Sequence, residues 1–248
     1  MTDRPRRILV PLPDRDFDTT ESSVVWDALD RAGHEVVFAT EHGAVAECDR
    51  HLLGPGWRNP FPAEPAVVAT YHRMTASPNF RRPIRYSEID VSDFDAVHLP
   101  GGHSPGMKQY LGSGLLQAKV ATFDAAGKPI GAVCHGVLVA ARARNQETGK
   151  SLLAGRTVTT LIKPIERYAF RRTFYRVGRR YRTYRTYTED EVRAAVGPAG
   201  RIEHGSSWQE PLVVVDGLIV TARYPVDVEA YAERFVRLVE NVRSKPIS

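Results

Sequence analysis

The chain has 248 residues, of which 42% are hydrophobic and 25% are charged, a balance typical of soluble globular proteins. Its two cysteines, Cys48 and Cys134, are too few for a disulfide framework, so we expect a reducing, cytoplasmic location. No apolar run approaches the roughly 20 residues that span a bilayer, and the charged N-terminus lacks a signal-peptide core, which argues against a membrane protein.

The positive charge is confined to one segment. The formal net charge is +5, yet residues 163–187 contain nine Lys or Arg and one Glu. That segment therefore carries +8 and the remaining chain −3. Because the excess is local, the composition does not indicate a generally cationic, nucleic-acid-binding protein.

The chain begins with a β-α-β unit. Residues 8–12 form a buried strand, 14–20 a polar connection, and the apolar residues from 20 onward recur at helical spacing until Gly33, which has the position of a C-terminal cap. Residues 35–39 form the second strand. A crossover of this kind predicts an α/β fold with a parallel sheet.

The predicted elements continue along the chain after an irregular excursion at 41–88, of the kind that often walls a site. We predict a single domain over 1–248, with insertions at about 41–88 and 161–190. Its remaining elements are strands at 95–99, 130–133 and 156–160, helices at 111–126, 134–146, 189–196 and 227–243, and a hairpin at 212–222.

Cys134 stands where an apolar strand meets an Ala/Val/Leu-rich helical segment. This arrangement is typical of a nucleophile elbow, which presents its nucleophile at the carboxyl end of a parallel strand. A helix start lowers a thiol pKa, so we expect Cys134 to be a reactive thiolate. The alternative is a buried structural cysteine.

Four short motifs then occur in a recognisable order. They are His-Leu-Pro-Gly-Gly-His at 98–103, Ala-Val-Cys-His-Gly at 132–136, Val-Thr-Thr at 158–160 and Asp-Gly-Leu-Ile-Val-Thr-Ala-Arg-Tyr-Pro at 216–225. Together they resemble the ThiJ/PfpI superfamily, nearest to its glyoxalase and chaperone-like branch, over nearly the whole chain. The resemblance implies the class I glutamine amidotransferase-like fold. This is a three-layer αβα sandwich with a mainly parallel, flavodoxin-like doubly wound sheet and a small β-hairpin.

The resemblance implies catalytic roles for three residues. Cys134 matches the nucleophile and His135 an acid/base, although adjacent residues at an elbow diverge and His135 could instead face solvent. Glu21 has the spacing of a buried glutamate that contacts the cysteine. It could donate to a thiolate or act as a base, or it could be only the last member of a capping box begun by Asp18.

Further candidates surround the elbow. Gly101 and Gly102 would let backbone N–H groups approach a substrate oxygen, with Gly102 and His135 N–H forming an oxyanion hole. His103 could line the site. The acid partner of His135 departs from the superfamily pattern, because Leu161 replaces a histidine found in some relatives. Glu166 is the acid in reach, and it could equally balance nearby arginines.

The arginine and aromatic residues of 167–187 alternate, a pattern that can bind single-stranded nucleic acid through charge and stacking. We favour instead an anionic substrate contact, or packing in a homodimer, with aromatic rings facing inward and guanidinium groups outward. No metal-ligand spacing, phosphate loop or dinucleotide fingerprint occurs, so we expect no cofactor.

These features predict a cofactor-independent, cysteine-dependent enzyme that acts on a small carbonyl compound. Its most concrete form is a glutathione-independent glyoxalase-like lyase or hydratase. The alternatives are a Cys-His hydrolase, either amidase or peptidase, and a redox-sensing or chaperone-like protein without turnover.

Overall fold

The computed structural model describes residues 4–57 and 59–242. Across these residues the main sheet contains seven strands in the order β10-β11-β7-β6-β1-β3-β5, and two small two-stranded sheets accompany it. The strands are β1 (Arg7–Pro11), β2 (Arg15–Phe17), β3 (Glu35–Thr40), β4 (Glu47–Cys48), β5 (Ile84–Arg85), β6 (Ala96–Leu99), β7 (Ile130–Val133), β8 (Thr157–Val158), β9 (Arg201–Ile202), β10 (Val213–Asp216) and β11 (Ile219–Ala222).

Helices cover both faces of the sheet. They are α1 (Thr19–Arg31), α2 (Pro65–Ala76), α3 (Pro78–Arg81), α4 (Met107–Gly112), α5 (Gly114–Ala125), α6 (Val137–Arg142), α7 (Lys163–Val177), α8 (Thr188–Val196) and α9 (Val228–Asn241). Helix α1 packs against α2 and α9, whereas α6 packs against α5 and α8. The predicted αβα sandwich is therefore confirmed.

The strand pairings explain where a site can form. β1, β3, β5, β6, β7 and β11 run parallel, and only β10 pairs antiparallel, with β11. β6 and β7 are buried along their whole length, as expected for central parallel strands covered on both faces. Their carboxyl ends lie side by side, so the residues that follow Leu99 and Val133 meet at one edge of the sheet.

Several predicted elements differ from the structure. The strand predicted at 156–160 is reduced to β8, which pairs with β9 outside the main sheet. The helix predicted at 111–126 is two helices, because Ser113 leaves the helical conformation and caps α5. The helix after the elbow ends at Arg142 rather than near residue 146. The end predicted for the last helix, Arg243, lies outside the described residues.

The two predicted insertions contain more structure than expected. The first includes the twelve-residue helix α2 and also β5, which adds an edge strand to the main sheet. The second contains α7 and the irregular residues after it, whose aromatic side chains were expected to face inward. This holds only in part, because Tyr181 is 8% exposed whereas Tyr168 and Tyr175 are 48% and 82% exposed.

None of the helices within 4–57 and 59–242 combines the length and the apolar character that crossing a bilayer requires.

Candidate active site

Cys134 lies on a sharp turn between β7 and the helical segment that leads into α6. Its φ of +57° is in the left-handed region, which costs a non-glycine residue about 1–3 kcal/mol. The turn fits closely against β6, since a Cβ on Gly136 would lie 2.1 Å from the carbonyl oxygen of Leu99. The structure therefore contains the predicted elbow, with the cysteine 6% exposed at the sheet's carboxyl edge.

Glu21 reaches this elbow from the first turn of α1. Its Oε2 accepts a 2.8 Å hydrogen bond from the backbone N–H of Gly101. A Cβ on Gly101 would lie 2.8 Å from Glu21 Oε2, from Cys134 Cβ and from the His135 backbone nitrogen. Three distant parts of the chain therefore converge around a glycine that has no room for a side chain.

The capping alternative for Glu21 holds only in part. Asp18 is the N-cap of α1, and its Oδ1 accepts hydrogen bonds from the backbone N–H groups of Thr20 and Glu21. The Glu21 side chain does not return the second bond of a capping box, because the Asp18 N–H donates to the Gly101 carbonyl oxygen. The carboxyl of Glu21 is thus left to face the cysteine.

His135 connects the cysteine to Glu166. Its Nδ1 is 3.4 Å from Cys134 Sγ, and its Nε2 is 3.9 Å from Glu166 Oε1. The first distance is a hydrogen-bond contact for sulfur, whereas the second is too long for one. Glu166 Oε2 accepts a 2.8 Å bond from the Thr188 N–H, which fixes the carboxyl in this position. The structure brings all three residues together in the order of a triad.

Gly102 and His103 follow Gly101 along the edge of the site. A Cβ on Gly102 would lie 2.6 Å from the Asp16 carbonyl oxygen, so the backbone is closely packed there. The ring of His103 lies 5.6 Å from that of His135 and 5.5 Å from that of Tyr181, between centroids. His103 therefore lies between the rings of His135 and Tyr181.

Burial is the main cause of the pKa shifts of Cys134 and Glu21. Burial, and secondly the neighbouring Glu21 carboxylate, raise the pKa of the Cys134 thiol well above 9.0. Burial and Asp18 raise the pKa of Glu21 well above 4.5. The expectation of a resting thiolate is therefore wrong, because loss of hydration and a like charge outweigh the helix start.

Glu21 Oε1 has no hydrogen-bond partner within the described part of the chain. The carboxyl and the thiol are close enough for their charges and a side-chain hydrogen bond to shift each other's pKa. A carboxylate with a raised pKa is a stronger base than an exposed one. Glu21 is thus suited to take a proton from the thiol or from a bound substrate.

The other titratable groups of the site are also shifted by burial. It lowers the pKa of His103 to about 4 and that of His135 well below 6.5, so both imidazoles are neutral at physiological pH. It raises the pKa of Glu166 from 4.5 to about 6 and that of Asp18 from 3.8 to about 6. The site is thus an enclosed set of weakly hydrated acids and bases.

One residue that positions the site was not identified from the sequence. His98 lies within β6, fully buried, where its Nε2 contacts the Glu21 carbonyl oxygen at 3.0 Å and its Nδ1 contacts Tyr231 Oη at 2.8 Å. It therefore ties the first turn of α1 to the sheet and to α9. The available signal was a single histidine within an otherwise apolar strand.

Among residues 4–57 and 59–242, no group of three or more His, Cys, Asp or Glu side chains is arranged to hold a metal ion.

Comparison with known proteins places the chain in a family. Residues 12–198 match the ThiJ/PfpI family-like sequence model. An uncharacterised protein of Schizosaccharomyces pombe is 30% identical over 123 residues, which are 48% of this chain and 46% of that protein. A deglycase of Thermococcus kodakarensis is 28% identical over 158 residues, 63% of this chain and 69% of the deglycase. The matched stretch thus spans less than half of the yeast protein's length.

A structural comparison agrees with the sequence match. The crystal structure of glyoxalase III from Candida albicans superposes with a TM-score of 0.69 at 17% identity, covering 94% of this chain and 97% of that one. At this identity the similarity shows a shared fold. Since the family match extends over most of the chain and includes the first helix, the glycine turn and the cysteine elbow, this protein belongs to the ThiJ/PfpI family.

Proposed function

We propose that the protein is a cofactor-independent, cysteine-dependent enzyme acting on a small carbonyl compound, most concretely a glyoxalase-like lyase. The observation that supports this most directly is the convergence of the Cys134 elbow, the Glu21 carboxyl and His135 in one buried site. The sequence similarity to a protein named as a deglycase and the fold shared with a glyoxalase III are consistent with this proposal.

The first step is addition of the thiol to an α-oxoaldehyde. Cys134 Sγ forms a bond to the aldehyde carbon, C1, while its proton moves to the Glu21 carboxylate. Glu21 then passes this proton to the C1 oxygen, which regenerates the carboxylate and gives a hemithioacetal. Because the resting thiol is protonated, transfer to a base as the S–C bond forms avoids creating a free thiolate in a weakly hydrated site.

The second step moves hydrogen from C1 to C2. Glu21 removes the C1 proton, the electron pair forms a C1–C2 double bond, and the C2 oxygen takes the negative charge of an enediolate that is hydrogen-bonded by neutral His135. Glu21 returns its proton to C2, and the C1 hydroxyl proton passes to the C2 oxygen, which gives a thioester. Water then cleaves the S–C1 bond, which restores the thiol and releases a 2-hydroxy acid.

Backbone donors would stabilise the oxyanions formed in these steps. The N–H of His135 is directed toward the sulfur, where its hydrogen bond acts to lower the thiol pKa. The N–H of Gly101 is already occupied by Glu21. The sulfur accepts less strongly once its S–C bond has formed, so the His135 N–H can then donate to the oxyanion. We propose that it does so together with the Gly102 N–H, since such donors act most strongly in a water-excluded site.

The test is conversion of methylglyoxal to lactate by the wild type, Cys134→Ala and Cys48→Ala. Cys48 is the matched control, since it is the other buried cysteine and lies outside the elbow. We expect Cys134→Ala to reduce turnover to the uncatalysed rate and Cys48→Ala to retain it. Equal rates in the wild type and Cys134→Ala would contradict the proposal.

A Cys-His hydrolase is the second candidate, supported by the alignment of Cys134, His135 and Glu166. In that case the substrate is an amide or peptide, and an acyl group is carried on Cys134 Sγ after the amine leaves. Mass spectrometry of the protein after brief incubation with an activated ester or a peptide substrate would detect the acyl-enzyme. Accumulation of this species without any lactate from methylglyoxal would favour the hydrolase.

A further inference from the structure

The catalytic centre is nearly sealed in this structure. Cys134 is 6% exposed, His135 and Glu21 are fully buried, and the Nε2 atoms of both His103 and His135 are buried with no hydrogen-bond partner in the described part of the chain. A substrate must reach the sulfur and the free polar atoms beside it. Some covering group therefore has to move before the reaction begins.

Tyr181 belongs to a row of rings that leads to the cysteine. Its ring packs on His103, whose ring packs on His135, and His135 Nδ1 contacts Cys134 Sγ at 3.4 Å. Tyr181 is itself 8% exposed. It belongs to neither the sheet nor a helix but to the irregular segment at 178–187, in the second insertion.

The Tyr181 side chain is held down by the first insertion. Its hydroxyl donates a hydrogen bond to Asp49 Oδ2, and its ring lies 5.3 Å from that of His51. Asp49 is 2% exposed and is fixed in turn, because its Oδ1 accepts from His51 N–H and contacts His51 Nδ1 at 2.8 Å. The two insertions thus meet at Tyr181 through a hydrogen bond and a ring contact, and again where the rings of Phe61 and Tyr168 lie 6.0 Å apart between centroids.

The segment that carries Tyr181 begins at a glycine. Helix α7 ends at Val177, its C-cap Gly178 has a φ of +102° that suits glycine and few other residues, and Arg179 and Arg180 are exposed. Farther on, Thr183 is 2% exposed and Tyr184 Oη accepts from Arg142 at 3.1 Å, which anchors the segment. Between these points the Tyr181 hydroxyl is bonded to the first insertion, and the Tyr181 backbone takes part in a hydrogen bond with His103.

We propose that Tyr181, latched by Asp49, is the gate that determines which molecules reach Cys134. With the latch closed, the phenol ring and His103 block the approach to the sulfur. When the hydrogen bond breaks and residues 178–183 swing outward, a small carbonyl compound enters beside the freed histidine nitrogens. Only the identity of the entering molecule rests on the proposed function, whereas gating of the thiol does not.

The test is the rate at which iodoacetamide alkylates Cys134, followed by peptide mass spectrometry so that Cys48 is counted separately. Tyr181→Phe keeps the ring and removes the latch, and Tyr181→Ala removes both. Since a hydrogen bond to a buried carboxylate is lost, we expect alkylation of Cys134 to accelerate about tenfold in Tyr181→Phe and further in Tyr181→Ala. Tyr175→Phe is the matched control, because this tyrosine of the same insertion is 82% exposed, and it should react at the wild-type rate.

Substrate size provides a second measurement. Tyr181→Ala should raise the ratio of kcat/KM for phenylglyoxal to that for methylglyoxal, because the larger aldehyde gains most from an opened entrance. Asp49→Ala removes the acceptor and should accelerate alkylation as Tyr181→Phe does, which keeps the test valid if Tyr181→Ala does not fold. Wild-type alkylation rates in Tyr181→Phe and Asp49→Ala would overturn the gate, whereas faster alkylation without turnover of either aldehyde would refute only the proposed function.

Discussion

Glu166 allows the burial of the site to be tested quantitatively. Its side chain is 2% exposed, and burial raises its pKa from 4.5 to about 6. At 1.36 kcal/mol per pKa unit, ionisation of this carboxyl lowers the free energy of unfolding by about 2 kcal/mol. Because the folded pKa is the higher one, that stability is present below pH 4.5 and is lost as the pH rises through 6.

The substitution Glu166→Gln removes the ionisation and keeps an oxygen that can accept the Thr188 N–H. We therefore expect the stability of the variant relative to the wild type to increase by about 2 kcal/mol between pH 4.5 and pH 7.5. Urea unfolding at a series of pH values measures this difference. The titrations of Asp18 and Glu21 occur in both proteins and largely cancel.

Glu233→Gln is the matched control for this experiment. Glu233 is 73% exposed, and its ion pair with Arg237 on α9 is 3.9 Å long, so its stability difference should vary little with pH. A difference for Glu166→Gln that stayed flat from pH 4.5 to 7.5 would show that the carboxyl is as well solvated as a surface group. The enclosed site described above would then be refuted.

Two further predictions concern the elbow and the carboxyl beside it. Glu21→Gln should reduce kcat/KM for methylglyoxal by about 10²–10⁴, the contribution of a general base, while lowering the pKa of Cys134, since a neighbouring negative charge is lost. The pH dependence of iodoacetamide alkylation reports that pKa, and an unchanged profile would argue against contact between the two groups. Gly136→Ala should lower the free energy of unfolding by about 3 kcal/mol or more, because its Cβ would lie 2.1 Å from a strand carbonyl. In urea unfolding, Gly114→Ala is the control, with no atom within 4 Å of the added Cβ, and equal losses in the two variants would contradict this packing argument.

Local patterns predicted much of the fold. The β-α-β unit at the N-terminus, the buried strand β7 and the turn at Cys134 follow from apolar periodicity, glycine placement and the break between strand and helix, which are properties of neighbouring residues. The predicted strand at 156–160 shows the limit of this approach. Its β-branched residues favour an extended conformation, but whether they join the main sheet depends on a partner, β9, that lies more than 40 residues away.

For the candidate site, too, local sequence patterns predicted one part and contacts between distant residues decided the other. The motifs identified Cys134 and His135 as candidates, helical spacing identified Glu21, and nearness in sequence to the Val-Thr-Thr strand identified Glu166. Only tertiary structure brought Glu21 against Gly101 and placed Glu166 behind His135. It also reversed the expected acidity of the cysteine, because a pKa depends on hydration and neighbouring charge rather than on sequence context.

The sequence by itself determined most strands of the central sheet, where the chain turns sharply and which cysteine stands at the turn, because these depend on contacts between near neighbours. Tertiary structure alone decided that the thiol is protonated and enclosed, and that Tyr181 and Asp49 from separate insertions meet above it. These properties arise from exclusion of water and from contacts between distant segments. Neither leaves a periodic signal in the chain.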